Sequence, residues 1–188
     1  MLETLGMDTA FGPLSLHMLQ HVVVMNLIVP AAVFGLSLRG GPWLWKSWPV
    51  ATACQLALLW IWHAPPALAF AMSQPLAMIA MHLSLALAAL WFWMSIASAP
   101  PTGRWRAIFA LIVTGKLFCL LGALLVFAPR QLFDMGGHAH HMAADGLADQ
   151  QLAGLIMLTA CPLSYVLIGI VISTRWFLSL EREAARNG

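Results

Sequence analysis

Five apolar runs, each more than 20 residues long and almost free of charge, leave this chain few ways to fold. They fall at about 14–36, 50–72, 75–97, 106–128 and 148–174. A helix needs about 20 apolar residues to cross a hydrocarbon core roughly 30 Å thick, and every run reaches that length. In lipid the backbone must satisfy its own hydrogen bonds, which restricts a spanning chain to helices or a closed barrel. The runs are continuous rather than alternating, so the expected fold is all-α: a polytopic integral membrane bundle of five transmembrane helices forming one domain over 1–188. Composition agrees. Only 9% of the residues are charged and 61% are hydrophobic, whereas a soluble domain carries about 25% charged residues.

Lys and Arg set the expected orientation. Arg39 and Lys46 lie between runs 1 and 2, Arg104 and Arg106 border the gap between runs 3 and 4, and Arg175, Arg182 and Arg186 follow run 5. The turn between runs 2 and 3 is uncharged, and Arg130 is outnumbered by Asp134, Asp145 and Asp149 in the stretch before run 5. The basic loops therefore share one side, which places the N-terminus outside and the C-terminus in the cytoplasm. Residues 1–13 carry Glu3 and Asp8 and no basic cluster, so no cleavable signal peptide is expected. A net charge of +2 with scattered basic residues gives no nucleic-acid footprint. Cys54, Cys119 and Cys161 are odd in number and form no CxxC pair, which argues against a disulfide framework and for small buried apolar side chains.

Function is concentrated in the histidines. His17 and His21 open run 1 from the outer side, and their i, i+4 spacing puts them on one helix face. His82 lies about 10 Å below the outer start of run 3, and His63 about 13 Å below the outer end of run 2, at a rise of about 1.5 Å per residue. Four imidazoles thus share the outer third of the membrane on three helices. Polar intramembrane residues are functional by default. Imidazole suits copper, zinc, iron and nickel, and thioether sulfur favours Cu(I). Met18, Met25, Met72, Met78, Met81 and Met157 accompany the histidines in sequence or in depth, and no intramembrane Glu supports a di-iron site. Copper, as Cu(I) or Cu(II), is the expected ion, with His21, His63 and His82 as principal ligands, His17 or a methionine completing the site, and Met78 and Met157 as possible additional ones.

Other polar groups carry weaker expectations. Lys116 sits near the middle of run 4, where it either orients a residue of the metal site, contacts a partner protein, pairs with an interior carbonyl, or snorkels towards the interface. Asp149 opens run 5; it either favours that helix N-terminus by charge or fixes a histidine tautomer from behind the ligand. The outer loop 129–147 is the longest, and His138, His140 and His141 in it form a short tract that is a candidate for collecting metal.

The motifs taken in order resemble the CtaG-type cytochrome c oxidase assembly family found with Caa-type oxidases. They are His17-Met18-Leu19-Gln20-His21, Trp62-His63-Ala64-Pro65, His82 followed by Trp91-Phe92-Trp93, Thr114-Gly115-Lys116, Phe127-Ala128-Pro129 and Asp149-Gln150-Gln151. The likeness covers roughly residues 14–165. It implies a bacterial inner-membrane factor that helps a haem–copper oxidase mature by handling copper on the outer side, with the four histidines and Asp149 at the family's positions. The chain departs from that pattern in being short, like a minimal version of longer relatives, and in carrying Gln131-Leu132-Phe133 and a His-rich insert after Ala128-Pro129.

The combined expectation is a metal-holding and delivery protein rather than an enzyme. Its partners would be the lipid bilayer and an oxidase subunit or periplasmic copper carrier, with homo-oligomerisation open. Two alternatives remain at this stage. A b-type haem protein would use histidines of different helices as paired axial ligands. A copper permease would need polar groups continuing to the cytoplasmic side, for which Lys116 is the sole candidate.

Overall fold

The computed structural model describes residues 12–133 and 143–187, and these are helical almost throughout. Helix α1 (Pro13–Val22) runs through a π-helical segment, Val23–Ile28, into α2 (Val29–Gly35). A short α3 (Pro42–Lys46) precedes α4 (Trp48–Trp62) and α5 (Pro65–Ser73). Helix α6 (Pro75–Ala97) follows, then a 3-10 turn (Pro101–Gly103), α7 (Arg104–Phe127) and α8 (Ala143–Asn187).

Four of these columns are long and apolar enough to cross a membrane: Pro13–Gly35, Pro75–Ala97, Pro101–Phe127 and Gly146–Arg186. Their outer faces are apolar too. Leu76, Ile79, Leu83 and Leu87 of α6 and Leu163, Val166 and Ile170 of α8 all lie exposed, as lipid contact requires.

The second expected span, 50–72, is not one helix. It breaks into α4 and α5, which meet at 75°. Pro65 and Pro66 cause the break: neither has an N–H, and their rings clash with the carbonyls four residues back. Ala64, preceding Pro65, is forced to extended geometry at φ −64°, ψ 134°, as residues before proline are. The fifth span exists only if this bent pair is counted as one. The fifth expected helix is also longer than 148–174, reaching from Ala143 to Asn187, so the loop before it ends earlier than 147.

Helices α7 and α8 pack against each other along most of α7. At their crossing, a Cβ on Gly122 would stand 2.9 Å from the Leu158 nitrogen, and one on Gly154 would stand 2.8 Å from the Gly122 carbonyl oxygen. Only glycine lets two backbones approach this closely, which is how small residues substitute for a hydrophobic drive between helices in lipid. Pro162 interrupts the ladder of α8 and leaves the Leu158 carbonyl without its helical donor. The Cys119 thiol lies over that oxygen at 3.9 Å.

Two residues at the start of α8 tie the bundle together. Asp149 accepts the Leu14 and Ser15 backbone N–H groups at 2.8 and 3.0 Å, so it caps the N-terminus of α1 across the bundle. Gly12 leaves the room, since a Cβ there would overlap the carboxylate. Gln150, fully buried, accepts the Leu132 N–H at 2.7 Å and donates to the Leu125 and Arg130 carbonyls. It thereby fixes the chain leaving α7.

Candidate metal centre

Three of the four predicted imidazoles converge inside the bundle, and they include His17, expected only to complete the site, in place of His82, expected as a principal ligand. One ring nitrogen from each of His17, His21 and His63 falls within 4.8 Å of the others, and all three side chains are buried. The His17 and His21 Nε2 atoms are 2.8 Å apart, as i, i+4 placement on α1 predicts. His63 arrives from α4 at ring-centroid distances of 6.5 Å from His17 and 5.6 Å from His21. His82, half-buried on α6, stacks on His21 at 4.7 Å and meets His17 edge-on at 5.4 Å. The four rings form one cluster, with His82 at its edge.

The backbone decides which nitrogen each ring offers. His63 Nδ1 lies 2.7 Å from the Leu59 carbonyl oxygen, and His82 Nδ1 lies 2.8 Å from that of Met78. A carbonyl only accepts, so Nδ1 carries the proton in both and Nε2 presents a lone pair. Such anchoring of the remote nitrogen is usual behind a metal-bound imidazole. His63 Nε2 then points at the Met18 sulfur, 3.2 Å away. Thioether sulfur is an acceptor, so two lone pairs face each other with no donor between them. Leaving a buried polar group in that state costs about 1–3 kcal/mol. A cation shared by the two removes the penalty. In a tetrahedral site with metal–nitrogen bonds of about 2.0–2.1 Å, donor nitrogens stand roughly 3.3 Å apart; the observed 2.8 Å spacing of His17 and His21 and the 4.8 Å outer limit bracket that value.

The helix irregularities aim these side chains. The Pro65-Pro66 break lets α4 end with His63 at its C-cap, directed inward rather than continuing past the site. The π-helical segment after α1 shifts the helix phase and buries Met25 and Asn26 together. Trp93 Nε1 donates to the Met25 carbonyl at 2.9 Å, satisfying an oxygen in that irregular ladder. Beneath the imidazoles lies a cavity of about 10 Å³ lined by Met18, His21, Met25, His63, Met157 and Cys161, among others. That is the room for about one water or ion. A wider groove of about 480 Å³ opens between α1 and α6, with His21, Met25, Met78 and His82 on its walls. Met157 therefore borders the inner cavity and Met78 the outer groove.

One sequence expectation is corrected and one is narrowed. Asp149 does not lie behind an imidazole: its two oxygens accept α1 amides, so it positions the helix that carries His17 and His21. The dipole reading had the right physics on the wrong helix. Lys116 lies on the outer surface of α7, in a groove with α8. Phe118, two residues on and on the opposite side of the helix, is the α7 residue that borders the cavity. His138, His140 and His141 lie outside the described residues. Met18 was underweighted by the sequence reading, which followed the i+4 stripe His17, His21, Met25; the i+3 relation of Met18 to His21 was the available signal. Asn26, with its Oδ1 unpartnered among the described residues, gave no sequence signal.

No curated protein and no solved structure matches this chain. A family model does: helices arranged to hold inward-facing imidazoles, an Asp149-Gln150 clamp and the ordered motifs between them fall within the match, and over residues 10–179 the chain belongs to the cytochrome c oxidase caa3 assembly factor family, Caa3_CtaG.

Proposed function

We propose that this assembly factor holds a copper ion in the outer half of a bacterial inner membrane and releases it to a maturing haem–copper oxidase. His17, His21 and His63 are the principal ligands, Met18 supplies a thioether, and His82 stands at the mouth of the groove through which the ion enters or leaves. The facing acceptors, His63 Nε2 and Met18 sulfur at 3.2 Å, carry this reading. Every donor in the set is neutral. In a low-dielectric interior an uncancelled ionic charge is costly, so a neutral shell favours a monovalent ion over a divalent one. Imidazole with thioether is a shell that accepts Cu(I). The same neutrality keeps the ion exchangeable, which suits delivery rather than catalysis.

Orientation is consistent with delivery outside the cytoplasm. The histidines gather where α1 begins, α4 ends and α6 begins, whereas Arg104 meets the Arg175 carbonyl and Ser179 at the other end. Basic residues favour the cytoplasmic face. The receiving partner is then an oxidase subunit or a periplasmic copper carrier. A haem between His17 and His63 is disfavoured by space: His21 lies 4.3 Å from one ring and 5.6 Å from the other, where the macrocycle would have to sit.

The test is elemental analysis with an optical spectrum on detergent-purified protein. The expected result is copper bound by the wild type, lost in a His17→Ala/His21→Ala/His63→Ala variant, and no Soret band. Full copper retention by the triple variant sinks the site assignment, and a Soret band reinstates haem.

A further inference from the structure

Lys116 lies at the centre of α7 (Arg104–Phe127), about 17 Å from either end at 1.5 Å per residue. A lysine at the middle of a spanning helix costs at least about 2.5–3.5 kcal/mol, and such residues almost always face a bundle interior or a water-filled cavity and pair with another charge or a backbone carbonyl. This one faces outward. Around it is a groove of about 370 Å³ between α7 and α8, walled by Ile112, Val166 and Ile170 and interrupted by Gly115 and Gly169. A Cβ on Gly115 would come no nearer than 3.6 Å to Tyr165, and one on Gly169 no nearer than 3.9 Å to Leu111. Both glycines thus add no side chain to the groove wall, and each already lies at ordinary contact distance from the neighbouring helix. Small residues at such spots let another helix backbone approach closely in lipid.

We infer that this groove is a docking site for a transmembrane helix of another protein that carries a carboxylate at mid-membrane depth, paired with Lys116. The charge identifies the occupant. Lipid chains and a purely apolar helix leave the ammonium unpaired. A second copy of this chain fails as well, because it has no acid at the required depth. Tyr165 packs beside Gly115, and the flanking acids of the described part of α8, Asp149 and Glu181, are each sixteen residues from it, or about 24 Å along the helix. Asp149 is in addition engaged at the N-terminus of α1. The remaining acids, Glu3, Asp8, Asp134, Asp145 and Glu183, all lie outside the apolar runs.

Position gives the groove a second meaning. It is formed by the backs of the two helices whose other faces contribute Phe118, Met157 and Cys161 to the cavity under the imidazoles. A helix seated at Lys116 would press on the wall of that cavity from outside, so partner docking and the donor cluster share one mechanical element. The docking inference itself does not require copper, and it stands or falls separately from the metal reading.

The test reconstitutes the full chain in phosphatidylcholine vesicles with a labelled apolar helical peptide of about 22 residues carrying one central Glu. Peptides with Gln or Leu at that position are controls, and association is read by energy transfer. The Glu peptide should associate about tenfold more tightly than the Leu peptide, in the range measured for polar contacts between membrane helices. That advantage should vanish in Lys116→Met, and Lys116→Glu should prefer a peptide with a central Lys. Equal association of the Glu and Leu peptides with the wild type overturns the inference, as does a Glu advantage that survives Lys116→Met. The wild-type peptide series decides the matter even if a variant fails to fold.

Discussion

The two halves of this bundle solve opposite problems. Helices α7 and α8 form a long pair in direct backbone contact at Gly122 and Gly154, and α7 has no break over 24 residues. The histidine-bearing side is irregular: α1 passes into a π-helical segment, and α4 stops at a 75° break beside His63. Irregular backbone in a membrane leaves polar groups to be satisfied and is tolerated where protein surrounds it. Here Trp93 serves one such carbonyl, while His63 and His82 anchor their rings on the Leu59 and Met78 carbonyls of their own helices. The difference teaches that the regular pair supplies rigidity and the broken helices supply donors, with Asp149 joining the two by reaching from α8 to the head of α1.

Three substitutions would break or sharpen this division. The largest effect belongs to Gly154→Leu. Its side chain has nowhere to go, since a single Cβ already stands 2.8 Å from the Gly122 oxygen. Overpacking costs about 1–3 kcal/mol and sometimes more, and a backbone obstacle cannot rotate aside, so a loss at or above about 3 kcal/mol is expected. Thermal unfolding in detergent should show it, and an unchanged melting temperature would mean the pair is not the scaffold.

Asp149→Ala comes next. It orphans two backbone N–H groups at the start of α1 and removes a favourable charge at that helix end, worth about 1–2 kcal/mol by the usual range for caps. The variant should melt lower and hold copper less tightly, because His17 and His21 lie within the first three turns of the helix so released. Asp149→Asn retains one acceptor oxygen and should recover part of both losses. A drop in copper with no change in α1 stability would instead favour direct action on a histidine.

Much of this was legible from hydropathy and spacing. The helix at 75–97 matches its expected bounds, and the i, i+4 pair on α1 puts two imidazoles together as periodicity requires. Equal depth correctly brought His63 and His82 to the same level from other helices. Four things escaped. The Pro65-Pro66 pair was visible as a break, but its angle depends on how α5 packs against α6. The π-helical segment has no signature within Val23–Ile28 itself; the nearby cue is Pro30, which has no N–H to offer the Asn26 carbonyl. Asp149 was assigned to its own helix because capping rules see only neighbours in sequence, whereas its partners are 134 and 135 positions away. Lys116 was visible as a buried-depth charge, but which side of α7 it occupies follows from the α7–α8 packing alone.

The smallest expected change in stability comes from Met18→Leu, and it bears most directly on the division between scaffold and donors. Met18 is fully buried, and in a helix core Leu and Met are close to interchangeable, costing under about 1.5 kcal/mol. If the residue only fills space, the variant should match the wild type in both melting and metal content. If its sulfur is a donor, stability changes little while copper binding weakens, and the loss falls more on Cu(I) than on Cu(II), because thioether discriminates between them. Copper titration of the two proteins under reducing and oxidising conditions separates these outcomes. Equal Cu(I) affinity in both would remove Met18 from the ligand set and leave the three imidazoles to hold the ion unaided.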